Sequence, residues 1–122
     1  MQLREFLLVG LGGAIGSMLR YGVGLLIKSF LIVPAGTFMV NMIGSFLIGL
    51  ISGMAANDPK FQQNWYIFLA TGLCGGFTTF SALSWEGLQL LQQQRIPLYL
   101  FYVMSSILGG LLFVGLGMKM AR

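Results

Sequence analysis

Four long apolar stretches, separated by short polar or proline-containing breaks, limit this chain to very few folds. They run over about 5–29, 36–56, 65–94 and 97–118. A helix needs about 20 apolar residues to cross the hydrocarbon core of a bilayer, so each stretch is long enough for one crossing. Four crossings take roughly 80 residues and leave only short connections and termini in a chain of 122. Charged residues make up only 8% of the chain, against about 25% in ordinary soluble domains. So few charges cannot cover the surface of a water-facing globule, and lipid removes that requirement. The expected fold is all-α and membrane-integral, a single domain over residues 1–122 with no soluble part.

The breaks between stretches carry recognisable chemistry. Pro34 and Gly36 mark the first turn, and Asn57-Asp58-Pro59-Lys60 is the strongest turn signal. Gln92-Gln93-Gln94-Arg95 and Pro97 separate the last two stretches. Trp65 and Tyr66 stand where an interfacial aromatic belt is expected. Residues 1–19 have the charged start and apolar run of a signal peptide. They lack a convincing small-residue cleavage pattern, and three more apolar stretches follow, so they read as an uncleaved first span. A small multi-pass chain of this kind fits a bacterial inner membrane.

The net charge is +4, from Arg4, Arg20, Lys28, Lys60, Arg95, Lys119 and Arg122 against Glu5, Asp58 and Glu86. The cations flank apolar stretches as anchors and form no basic cluster, so nucleic acid is not an expected partner. With no histidine and a single cysteine, Cys74, an intrachain disulfide is impossible and a transition-metal site is not expected. Four crossings place both termini on one membrane face. That face carries Arg4, Lys60, Lys119 and Arg122, and the other carries Lys28 and Arg95, with Arg20 between them. The bias is shallow enough to allow insertion in both orientations, and hence an antiparallel two-fold dimer.

Polar groups within the stretches are the candidates for function, because each is expensive in lipid. Thr37, Asn41 and Ser45 repeat every four residues on one face of the second stretch. Tyr99, Tyr102 and Ser106 share a face of the fourth, with Ser105 beside it. Each stripe reads either as interhelical hydrogen bonding or as a pore lining. Together they offer N–H and O–H donors with only Glu86 as a carboxylate, a balance suited to an anion. Arg20, deep in the first stretch, either snorkels to the interface or supplies a vestibule charge. Gly12/Gly16 and Gly49/Gly53 have the four-residue spacing that lets helices approach closely. "GLGGAIG" (10–16) has the wrong glycine spacing for a dinucleotide loop, and no strand precedes it.

The most unusual segment is "GLCGGFTTFS" (72–81), which sets glycines and hydroxyls inside an apolar stretch. Gly72, Gly75, Gly76, Thr78 and Thr79 are expected to interrupt the third helix near its middle. Freed carbonyls are tolerated at membrane depth only where they are buried in protein or line a cavity. Such carbonyls can coordinate a small cation, and a kink filled by neighbouring helices is the alternative. Beyond the interruption, Phe77, Phe80, Ser81 and Ser84 are expected to continue a helix, with Phe77 and Phe80 on a shared face. A phenylalanine edge can favour a small anion, although core packing is the default role for such a ring.

"GGAIGSMLRY" (12–21), "GTFMVNMIGSFLIG" (36–49) and "GLCGGFTTFS" (72–81) resemble the signatures of the Fluc fluoride channels, also called CrcB. The three motifs, the length and the four spans cover essentially the whole chain. The resemblance implies an antiparallel, dual-topology dimer that passively exports fluoride through two narrow pores, and no enzymatic activity. It implies a structural sodium ion at the dimer centre, held by backbone carbonyls of the broken third helices at Gly75 and Thr78. It places the fluoride route along Asn41, Phe80, Ser81, Tyr102 and Ser106, with Arg20 in an electrostatic or structural role and Glu86 at the vestibule.

The chain also departs from the family pattern. Where members commonly read "TTFSTFS", this chain reads "TTFSALS", so Leu83 replaces a ring and Ala82 a threonine. Gly110 stands where a serine is often found. These changes keep a second reading open, a subunit that conducts only beside a paralogous partner. A small multidrug exporter is disfavoured by charge, since the first span carries Arg20 where cation export wants a buried carboxylate. A fluoride/proton exchanger would need a protonatable group in the pathway, and Glu86 is the one candidate.

Overall fold

The computed structural model describes residues 2–27 and 34–122. Lys28 lies outside the described residues, so its expected place as an interfacial cation is not addressed by the fold. All regular elements among the described residues are helical. α1 spans Gln2–Ile27, α2 Ala35–Asn57 and the short α3 Pro59–Asn64. α4 comprises a wide π-helical segment, Ile67–Cys74, and the turn Gly75–Phe77 that continues it; α5 spans Phe80–Gln92 and α6 Ile96–Met120. Four stretches are long and apolar enough to cross a membrane: Gln2–Ile27, Ala35–Asn57, Ile67–Gln92 and Ile96–Met120.

The ends of these helices follow from local chemistry. Asp58 caps α3, its Oδ1 accepting from the N–H groups of Lys60 (3.0 Å) and Phe61 (3.3 Å), with Pro59 in the first turn. The expected turn at 57–60 is thus the start of a short helix lying before the third span. Gly36, expected as a turn residue, sits instead within the first turn of α2. At the far end of α5, Gln94 takes a positive φ of 59°. The Arg95 N–H then bonds Leu90 O (2.9 Å) and the Gln94 N–H bonds Leu91 O (3.0 Å), a Schellman closure that turns the chain into α6.

Two helix pairs dominate the packing, α1 with α4 and α2 with α6. Alternating crossings make the members of each pair parallel. Glycines hold both seams together. A Cβ on Gly12 would come within 2.5 Å of Phe68 O, and one on Gly76 within 2.5 Å of Gly13 O. In the other seam, a Cβ on Gly49 would collide with the Val114 carbonyl and one on Gly117 with that of Phe46. Backbones this close gain dispersion contacts and need only small residues, which suits a solvent that supplies no hydrophobic drive between helices. The glycine spacing in α1 and α2 was legible in the sequence; the partner glycines, Gly72, Gly76 and Gly117, were not assigned to it.

Most large apolar side chains of α1 and α6 point outward, Phe6, Leu7, Leu11, Leu111 and Leu112 among them. In water this surface would drive aggregation. In lipid it is the ordinary exterior, and the chain is a multi-pass membrane protein.

Candidate ion pathway and cation site

Thr78 and Thr79 are the centre of the site, because both leave helical geometry. Thr78 has φ −86° and ψ 159°, and Thr79 has φ −153° and ψ 120°. Gly72, Gly75 and Gly76, expected to share in the interruption, are all helical. Gly72 and Gly76 serve close packing on α1 instead. Threonine suits the transition because its hydroxyl can replace a missing helical partner. The Thr78 N–H and hydroxyl both donate to Cys74 O, at 3.0 and 2.9 Å, closing α4. Thr79 Oγ1 accepts from the Ala82 N–H at 3.0 Å and opens α5 as its N-cap.

The extended peptide at Thr79 finds its partner on α2. Asn41 Oδ1 accepts from the Thr79 N–H (2.8 Å), and Asn41 Nδ2 donates to Thr79 O (3.1 Å). One amide side chain thereby satisfies a whole backbone unit, and one Nδ2 hydrogen remains for another acceptor. Arg20 Nε donates to Gly76 O at 3.1 Å, tying α1 to the end of α4. The carbonyl of Thr78, which lies outside the helix, accepts no hydrogen bond from the described residues. At membrane depth such an oxygen needs a partner from outside the chain.

A groove of about 330 Å³ runs beside this segment, lined by Asn41, Gly75, Thr78, Phe80, Leu83 and Ser106 among others. Phe80 is 79% exposed, whereas Phe77 is buried at 8%. The two rings were expected on one face of a continuous helix. The extended residues between them reset the helical phase, so one ring packs inward and the other points out. Ser106 Oγ is buried with no hydrogen-bond partner among the described residues, so its hydroxyl is available to whatever enters the groove. Leu83 also lines a second groove of about 240 Å³ with Phe80, Ser84, Gly87 and Tyr99.

Tyr102 belongs to a different cluster. It is only 2% exposed, and its hydroxyl donates to Glu86 Oε1 at 2.8 Å. Thr37 Oγ1 donates to Glu86 Oε2, also at 2.8 Å. The carboxylate joins α2, α5 and α6, with each oxygen holding one hydroxyl proton. An excess of donors over acceptors was expected here, but Thr37 and Tyr102 have already committed theirs. The signal available in the sequence was a single intramembrane acid flanked by hydroxyl stripes on two other helices. Arg20 and Thr37 line a cavity of about 270 Å³ with Tyr21, Gly36 and Thr79. Ser81 is exposed at the start of α5, its hydroxyl 3.1 Å from that of Thr79. Asn41, Phe80, Ser106, Gly75 and Thr78 therefore share one groove, while Tyr102 and Glu86 pair separately.

Comparison with known proteins gives this arrangement its context. The family model described as CrcB-like protein, Camphor Resistance (CrcB), matches residues 7–118. A relative named Fluoride-specific ion channel FluC, from Azobacteroides pseudotrichonymphae genomovar. CFP2, is 43% identical over 117 residues, 94% of each chain. A protein of the same name from Leptospira interrogans serogroup Icterohaemorrhagiae serovar copenhageni (strain Fiocruz L1-130) is 40% identical over 121 residues, covering 98% of this chain and 95% of its own. Another of that name, from Thermus thermophilus, is 42% identical, with 97% and 95% covered. Matches of this extent reach every helix and every residue of the groove, and the chain belongs to the CrcB family.

Proposed function

We propose that this chain is a fluoride-specific channel that lets fluoride leave the cytoplasm passively. The observation that carries the reading is near-full-length similarity to relatives named for that activity. The groove supplies a compatible chemistry. Fluoride is strongly hydrated, so a selective route must replace water with donors in a constriction too narrow for larger anions. Asn41 has an N–H to spare, Ser106 has an unpartnered hydroxyl, and Phe80 offers a ring whose edge is electropositive. Ser81 lies beside Phe80, and Tyr102 with Glu86 and Thr37 forms a polar cluster outside the groove. Arg20 lies where a cation favours anion entry.

The functional unit in this proposal is an antiparallel dimer whose third helix is broken at Thr78–Thr79. An exposed Phe80 beside an open groove is what a single subunit would show if a second copy completed the wall. The unpartnered Thr78 carbonyl, with Gly75 lining the same groove, fits a sodium ion shared between two such segments. When bound, sodium would take those carbonyl oxygens as ligands and hold the subunits together; it takes no part in moving fluoride. The second reading, a subunit that needs a paralogous partner, is favoured by Leu83 occupying the groove beside Phe80.

Fluoride efflux from liposomes containing this protein alone, measured with a fluoride electrode and a chloride control, separates the two. Rapid fluoride-selective release is expected. No release from a folded dimer would leave the partner-dependent reading. Phe80→Ile is expected to lower fluoride flux at least tenfold with the dimer intact, and wild-type flux in that variant would remove the ring from the mechanism.

A further inference from the structure

A third groove lies away from the proposed pathway, at the membrane face where α1 and the third span both begin. It has a volume of about 450 Å³ and is lined by Arg4, Leu8, Asn64, Trp65 and Phe68. Its walls come from the start of α1 and from the junction where α3 gives way to the third span, so polar residues stand at the start of each wall and apolar ones follow. Arg4 and Asn64 stand at the outer end. Leu8 lies four residues further along α1, about 6 Å deeper at the helical rise, and Phe68 lies in the first turn of the third span. Trp65 stands in the turn between Asn64 and the third span, where an indole suits the headgroup region.

We infer that this groove holds one anionic glycerophospholipid. Its lining contains a guanidinium and a primary amide but no carboxylate, so the outer end is complementary to a phosphate. A guanidinium can donate two parallel hydrogen bonds to phosphate oxygens, and the Asn64 amide can add a third. Below them, Leu8 and Phe68 form an apolar floor for the first methylenes of an acyl chain. A free phosphate would use only the upper half, and a neutral hydrocarbon only the lower. The graded lining selects a molecule with both parts. The groove is separate from Asn41, Phe80 and Ser106, so occupancy here does not depend on the reading of the ion pathway.

The test is native mass spectrometry of the full chain released from micelles containing equal amounts of phosphatidylglycerol and phosphatidylcholine. One phosphatidylglycerol per subunit is expected to survive release in preference to phosphatidylcholine. Arg4→Gln is expected to reduce that retention about fivefold, the weight of one interfacial cation. Arg4→Lys should restore part of it, and Arg122→Gln, which removes a cation outside the groove, should leave it unchanged. Equal retention of the two lipids, or equal losses from Arg4→Gln and Arg122→Gln, would overturn the proposal. Displacement of the lipid by excess inorganic phosphate would also overturn it, by reassigning the groove to a free anion. The apparent mass of the assembly, read in the same spectra, shows whether each variant is folded.

Discussion

Replacing Asn41 with alanine removes both partners of the Thr79 peptide at once, and the cost can be worked from the geometry. The wild-type amide accepts from the Thr79 N–H at 2.8 Å and donates to Thr79 O at 3.1 Å. Leaving a buried donor or acceptor unpaired costs about 1–3 kcal/mol, so two orphans set a span of about 2–6 kcal/mol. Two effects pull towards the lower end. The groove opens beside Asn41, so water can reach the freed groups, and hydrogen bonds between membrane helices average only about 0.6 kcal/mol because the unfolded reference also finds partners. Against this, Thr79 is extended and has no helical carbonyl to fall back on. The expected loss for Asn41→Ala is therefore about 2 kcal/mol, read from denaturant titration in mixed micelles by tryptophan fluorescence. Hydrogen exchange gives a local readout, where the Thr79 amide should exchange about 30-fold faster, the equivalent of that energy. A loss below about 0.5 kcal/mol with unchanged exchange at Thr79 would refute the claim that Asn41 holds this segment.

Further expectations follow from the seams and the carboxylate. Gly49→Ala places a methyl against the Val114 carbonyl and should destabilise the fold by about 1–3 kcal/mol. Gly10→Ala, into open space, should be neutral or stabilising by up to about 1 kcal/mol in the same titration. Equal effects would mean that close approach does not hold the α2–α6 seam. Tyr102→Phe strips one donor from Glu86 and should cost about 1.5–3 kcal/mol, the range for hydrogen bonds to charged groups. In a Glu86→Gln background the same change should cost less, and equal costs would show that Tyr102 does not act through the carboxylate.

The four spans were legible because lipid imposes length and apolarity on every crossing, and that requirement is written residue by residue. The break between the second and third spans was legible for the same local reason, since Asp58 and Pro59 cap a helix wherever it lies. Gly12/Gly16 and Gly49/Gly53 announced close packing, because only a missing Cβ allows it. The segment 72–81 stood out as a conflict between glycines, hydroxyls and an apolar stretch.

The sequence could not say how that conflict resolves. Glycine's missing side chain permits both a bend and a close approach, and only the position of α1 shows that Gly72 and Gly76 serve the second. The chain leaves helical geometry at Thr78 and Thr79 because Asn41, 38 residues earlier, supplies the hydrogen bonds that the helix gives up there. The outward turn of Phe80 follows from that departure, since two extended residues change the phase of everything after them. Glu86 looked like a peripheral acid until α2 and α6 brought Thr37 and Tyr102 to its two oxygens. Local sequence determines which segments enter the membrane and how their ends are capped, because those energies depend on neighbours along the chain. Which polar groups meet inside it depends on helices distant in sequence, and only the tertiary structure decides that.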